Sequence, residues 1–195
     1  LLSMNNDDLE VNFIKLISRN KFYYTFKGVT LAASLSLGYQ RNLADDVLKN
    51  TAGDVVLDDS GNPRTEGYIP SVKVFRLEGI DGVRGFTEDE INIVESGDDI
   101  SVNTIQDEAY FLNAKFEFRR KVSPSLISAY FLDAGRLYVN HFKPLDIRLS
   151  TGISFKFITP VGTLDFDYGV KLKRNRDDVG RREQFGRFHL AIGFF

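Results

Sequence analysis

The sequence predicts an all-β chain built as an antiparallel transmembrane β-barrel, and three observations carry that prediction. Apolar and polar residues alternate with a period of two over long stretches, which puts one set of side chains on each face of a strand. The polar face carries full charges, among them Glu117, Asp133, Arg148, Lys156, Asp165, Asp167 and Lys171. The connections alternate short and long, the pattern of a barrel with tight turns on one side of an outer membrane and long loops on the other. Alternation alone would also fit a soluble sandwich or a lipocalin-like barrel, which show one apolar and one polar face.

Seven runs make up the prediction. The first, about Leu9 to Phe26, changes parity near Asn20-Lys21, which reads as a β-bulge. In the second, Val29, Leu31, Ala33, Leu35, Leu37 and Tyr39 oppose Thr30, Ser34, Ser36, Gly38 and Gln40. In the third, Tyr110, Leu112, Ala114, Phe116 and Phe118 oppose Asn113, Lys115, Glu117 and Arg119. In the fourth, Leu126, Tyr130 and Leu132 oppose Ala129, Phe131 and Asp133. The fifth sets Ile147, Leu149, Ile153, Phe155 and Phe157 against Arg148, Ser150, Gly152, Ser154 and Lys156. The sixth sets Leu164, Phe166, Tyr168, Val170 and Leu172 against Asp165, Asp167, Gly169, Lys171 and Lys173. The last sets Phe188, Leu190, Ile192 and Phe194 against His189, Ala191 and Gly193. A content of 17 Phe and 8 Tyr in 195 residues suits strands.

Composition removes several function classes. Lys+Arg 25 against Asp+Glu 27 gives a net charge of −2, unlike the strongly basic balance of a phosphate-driven nucleic-acid binder. With no cysteine there is no disulfide scaffold, thiolate zinc site or cysteine nucleophile. No apolar run reaches the length of a transmembrane helix. Leu1-Leu2-Ser3-Met4 shows neither the basic nor the apolar region of a signal peptide. Short turns fall at Lys27-Gly28, Arg120 to Pro124 and Thr159 to Gly162, and long connections at about Arg41 to Asp107, Arg136 to Leu145 and Arg174 to Gln184. Single-chain bacterial barrels have an even number of strands, so seven strands predict a chain that starts in mid-barrel.

The long second connection contains Phe75-Arg76-Leu77-Glu78-Gly79-Ile80-Asp81-Gly82-Val83-Arg84-Gly85-Phe86. This resembles the V/L-R-G-F/Y loop motif of the outer-membrane protein assembly factor family (BamA/TamA-like). Asn113 to Phe118, Phe131-Leu132-Asp133-Ala134-Gly135, Thr159 to Phe166 and Phe188 to Gly193 are similar, in order, to later strands and turns of the same family. The resemblance covers about Leu9 to Phe195. It implies that residues 1–195 are the C-terminal portion of one barrel domain, the last seven or so of sixteen strands, with a long extracellular loop at about 40–108. POTRA domains and N-terminal strands would lie outside this sequence. It also implies an integral protein of the bacterial outer membrane that inserts and folds other barrel proteins through a weakly paired lateral seam, with no enzymatic chemistry and no cofactor. Its partners would be outer-membrane lipid, unfolded barrel clients and accessory periplasmic lipoproteins. Family members place their final aromatic three residues after the closing-strand glycine; here Phe195 follows Gly193 by two.

By the same resemblance, Val83, Arg84, Gly85 and Phe86 form a latch that folds into the lumen against Glu117, Phe131, Asp133 and Gly135. Strand parity independently puts Glu117 and Asp133 on the polar face, and an arginine fork can grip a carboxylate with two hydrogen bonds. The alternative is that Arg84 is a solvated loop residue. Phe188, Leu190, Ile192, Gly193 and Phe195 are expected to form the closing strand and its seam. Other chemistry is weaker. Gly79, Gly82 and Gly85 lack the spacing of a P-loop. Asp54, Asp58 and Asp59 do not match an EF-hand and read as a surface turn. His141 and His189 fall in different elements, which supports neither a hydrolase nor a metal site. Asp165 and Asp167 share a face with Lys171 and Lys173 and read as a charged wall rather than a glycosidase pair. Two rival functions remain: a two-partner-type secretion pore sharing the barrel and the loop motif, and a soluble β-barrel binding module.

Overall fold

The computed structural model describes residues 12–43, 47, 49–50, 52–57, 61, 63, 73, 75, 82–87, 90, 108–139, 147–175, 180 and 182–193. Seven strands form one sheet in chain order: β1 (Phe13–Phe26), β2 (Val29–Asn42), β3 (Glu108–Ser123), β4 (Leu126–Val139), β5 (Arg148–Thr159), β6 (Gly162–Lys171) and β7 (Gly186–Gly193). Every neighbouring pair is antiparallel. The sheet is open, with β1 and β7 at its edges. All seven expected runs therefore become strands, in an up-and-down meander. The first starts at Phe13 among the described residues, and the fourth extends past Arg136 to Val139.

The parity change in the first run is not a bulge. β1 pairs with β2 without a register shift from Phe13↔Asn42 to Phe26↔Val29. Directly paired residues share a face, so Ser18 and Asn20 lie with Leu37 and Leu35 on the apolar face, and Ile17 and Tyr23 lie on the polar one. The two misplaced polar side chains satisfy each other, Asn20 Nδ2 donating to Ser18 Oγ at 3.0 Å. The sheet's irregularity falls instead between Lys121 and Ser123 on β3.

Tight connections join β1 to β2, β3 to β4 and β5 to β6 at one end of the sheet. At the first, Lys27 (φ 48°) and Gly28 (φ 79°) are both left-handed, the geometry whose twist matches the flanking strands. The long connections lie at the other end. The outward face is apolar and exposed, carrying Leu35, Leu37, Phe116, Phe118, Tyr130, Leu132, Ile153, Phe155, Phe157, Tyr168, Phe188, Leu190 and Ile192. Strand length falls steadily from 16 residues in β3 through 14, 12 and 10 to 8 in β7. Phe194 and Phe195 lie outside the described residues.

The core is on the charged face. Phe75, Val83 and Phe86 of the β2–β3 connection are buried against Ala109 and Phe111 of β3 and Leu137 of β4. Gly38 makes room for this packing. A Cβ there would come within 2.1 Å of the Phe111 ring and 2.8 Å of Phe75, whose rings meet edge-on at 4.8 Å.

Candidate functional site

The polar faces of β3 to β6 build one cross-strand row below the loop. Register pairs Glu117 with Phe131, Phe131 with Gly152, and Gly152 with Gly169. Two directly opposed glycines leave a hollow in the wall. The Phe131 ring reaches into it, and a Cβ on Gly152 would stand 2.6 Å from that ring's Cζ. Glycine inside a strand often marks such a close approach. Residues 82–86 are buried against this face.

Arg84 is 2% exposed and Asp133 is fully buried. Asp133 Oδ2 accepts from Arg84 Nε at 2.7 Å and from the Arg84 backbone amide at 3.1 Å, while Oδ1 accepts from Nη2 at 2.7 Å. Nη1 donates to Glu117 Oε1 at 2.6 Å and to Asp167 Oδ2 at 3.4 Å. The guanidinium carbon lies 3.6 Å from the centre of the Phe131 ring. One side chain thus touches β3, β4 and β6. Burial acts to lower the Arg84 pKa, but the hydrogen bond and charge of Asp133, then the charges of Glu117 and Asp167, outweigh it, and the net shift is upward. The guanidinium stays protonated at any pH the protein meets. Arg119 Nε donates to Glu117 Oε2 at 2.6 Å, and Lys156 Nζ to Asp165 Oδ2 at 2.7 Å. These cations return positive charge to a wall rich in carboxylates.

The neighbours of Arg84 fix the rest of the loop tip. Val83 fills the space that Gly135 leaves, where a Cβ would meet its Cγ2 at 2.7 Å. Gly85 has φ 92°, and a Cβ on it would stand 3.0 Å from the Gly169 backbone, so this position requires glycine twice over. Its amide donates to His189 Nε2 on β7 at 2.8 Å. Phe86 sits between two cations, Arg148 at 4.8 Å and Lys171 at 5.0 Å from its ring centre. Arg148 pairs with Glu183 and Lys171 with Glu90.

Val83, Arg84, Gly85, Phe86, Glu117, Phe131, Asp133 and Gly135 thus come together in one place. Phe188, Leu190, Ile192 and Gly193, expected to form a closing strand, lie on β7 at the sheet edge. Asp167, Gly152, Gly169 and His189 belong to the cluster although sequence reasoning gave them no role there. The two interior glycines were the available signal, and parity already put Asp167 and His189 on the correct face. Asp54 lies in a turn in which Asn50 Oδ1 accepts from the Ala52 and Asp54 amides at 2.9 Å; Asp58, Asp59 and His141 lie outside the described residues. Among the described residues, no group of His, Cys, Asp and Glu could hold a metal ion.

A family model described as the Omp85 superfamily domain matches residues 8–195. The chain is 29% identical over 150 residues to the outer membrane protein assembly factor BamA of Nitratidesulfovibrio vulgaris (strain Hildenborough), a match covering 74% of this chain and 17% of that relative. Its fold resembles the crystal structure of BamA from Haemophilus ducreyi lacking POTRA domains 1-3, with a TM-score of 0.57 and 14% identity, over 94% of this chain and 35% of that one. At that identity the likeness is one of fold.

Proposed function

The chain belongs to the Omp85 superfamily of outer-membrane β-barrel proteins, which are not enzymes, and from that membership we propose that it is the C-terminal part of a barrel that inserts and folds other barrel proteins. The observation that carries this reading is the Arg84 clamp. A buried loop tip that grips three strands through one guanidinium holds the wall in a fixed arrangement while leaving β7 as a sheet edge. In lipid, the unpaired N–H and C=O groups of an edge are costly and must be satisfied by another strand. In the proposed whole barrel of sixteen strands, β7 closes on the first strand. A client strand then adds at that seam by β-augmentation along Phe188 to Gly193, with Phe188, Leu190 and Ile192 facing the lipid, and Phe195 just beyond in the sequence. POTRA domains and accessory periplasmic lipoproteins complete the proposal, and its large extracellular loop, expected at about 40–108, is the connection of residues 43–107, because β2 runs to Asn42 and β3 starts at Glu108.

The test uses the full-length protein in proteoliposomes, with an unfolded barrel client and a disulfide placed between position 193 and the first strand. The oxidised protein is expected to fold client no faster than empty liposomes, and reduction is expected to restore the rate. Undiminished folding by the oxidised form would overturn the seam and favour a two-partner-type secretion pore.

A further inference from the structure

We propose that His189 is a positioning residue that ties the last strand to the loop tip, and that the tie holds only while its imidazole is neutral. The loop runs over β6 at Gly169, where a Cβ would stand 2.6 Å from the Gly85 nitrogen and 2.8 Å from the Arg84 carbonyl carbon. The missing side chain lets the Gly85 amide pass β6 and reach the next strand, where it donates to His189 Nε2 at 2.8 Å. Beyond its ladder with β6, β7 thereby gains a hydrogen bond to the loop.

A neutral imidazole can accept at Nε2, whereas a protonated one carries a proton there and sets donor against donor. Protonation would also place a second cation near Arg84. The charged groups that face it are Asp167, directly opposite on β6, Asp133 on β4, Arg84 of the loop and Arg187 of β7 itself. Arg84 itself does not titrate in this range. Acidification therefore releases β7 from the loop tip while the Arg84 clamp stays closed.

The test is amide hydrogen exchange at residues 82–87 of the full-length protein in phospholipid nanodiscs, corrected for the intrinsic pH dependence. Wild type is compared with His189→Gln, which keeps an acceptor that does not titrate, and His189→Phe, which has none. In wild type, the Gly85 amide is expected to exchange about three- to tenfold faster at about pH 4.5 than at about pH 8. In His189→Gln the amide should stay protected at both pH values, and in His189→Phe at neither. The Arg84 amide, held by Asp133, should be unaffected throughout. The proposal fails if wild type shows no change, if the Gln variant shows the same change, or if both amides lose protection together in every variant. Exchange reads the tie without any client, so its failure is separable from failure of the insertion reading.

Discussion

Asp133 holds Arg84 by side chain and main chain at once, taking Nε and Nη2 at 2.7 Å each and the backbone amide at 3.1 Å. A carboxylate that grips both parts of one residue fixes the path of the loop as well as the position of the charge. Removing the guanidinium leaves Asp133, Glu117 and Asp167 buried beside one another. Losing one partner of a buried ion pair costs about 3–5 kcal/mol. Arg84→Ala should lower the heat-denaturation midpoint of the folded barrel and expose the loop to protease while strand content survives. Arg84→Lys keeps the charge but not the fork and should fall between. A double-mutant cycle with Asp133→Ala should show coupling of about 0.5–3 kcal/mol. An Arg84→Ala protein with wild-type loop resistance would refute the latch.

Gly169→Ala adds one methyl group where the nearest atoms are backbone, Gly85 N at 2.6 Å and Arg84 C at 2.8 Å. Backbone on both sides cannot rotate away, so the loop tip must lift. The expected outcome is a loop cleaved faster by protease, although every charged residue of the clamp is intact. Gly28→Ala, at a glycine with nothing within 4 Å of its Cβ position, should leave the loop untouched. Equal loop protection in Gly169→Ala and wild type would show that the loop does not rest on β6.

The strands and their faces were legible because a period of two is written directly in the residues. Parity put Glu117 and Asp133 on the charged face, and the resemblance of the loop motif set Arg84 against them. Parity does not fix register, however, and register decides that Glu117, Phe131, Gly152 and Gly169 share one row. The reach of Arg84 to Asp167 and of Gly85 to His189 depends on that row and on the hollow its glycines leave. The false bulge near Asn20 had another cause. Ser18 and Asn20 face outward as a hydrogen-bonded couple, while Ile17 and Tyr23 face inward, and this mimics a change of phase.

Phe155 lies near the middle of β5 on the outward face, directly opposite Phe166 of β6. If that face meets lipid, Phe155→Arg should cost about 2–4 kcal/mol at mid-bilayer depth. The neighbouring Ser154 is buried on the charged face. A spin label at position 155 should report lipid-soluble oxygen in preference to a water-soluble relaxant. A label at 155 that meets bulk water would contradict a membrane-facing surface.

The uninterrupted pairing of β1 gives the last prediction. Ile17 lies opposite Gly38 and Ser18 opposite Leu37, so Ile17 shares the charged face and Ser18 the apolar one. A bulge between them and Phe22 would reverse both assignments, because a shift of one residue flips every side chain. Cysteines at 17 and 18 in the full-length protein in liposomes separate the alternatives. Ile17→Cys should react with a water-soluble maleimide, and a fluorophore at Ser18→Cys should be quenched by a lipid-phase quencher. The Ser18–Asn20 couple then lies in the apolar layer, where each polar group keeps a desolvation cost that one shared hydrogen bond only partly offsets. Replacing both by leucine should stabilise the barrel by about 1 kcal/mol, read as a higher heat-denaturation midpoint. Reversed labelling, with position 17 in lipid and position 18 in water, would restore the bulge and remove that gain.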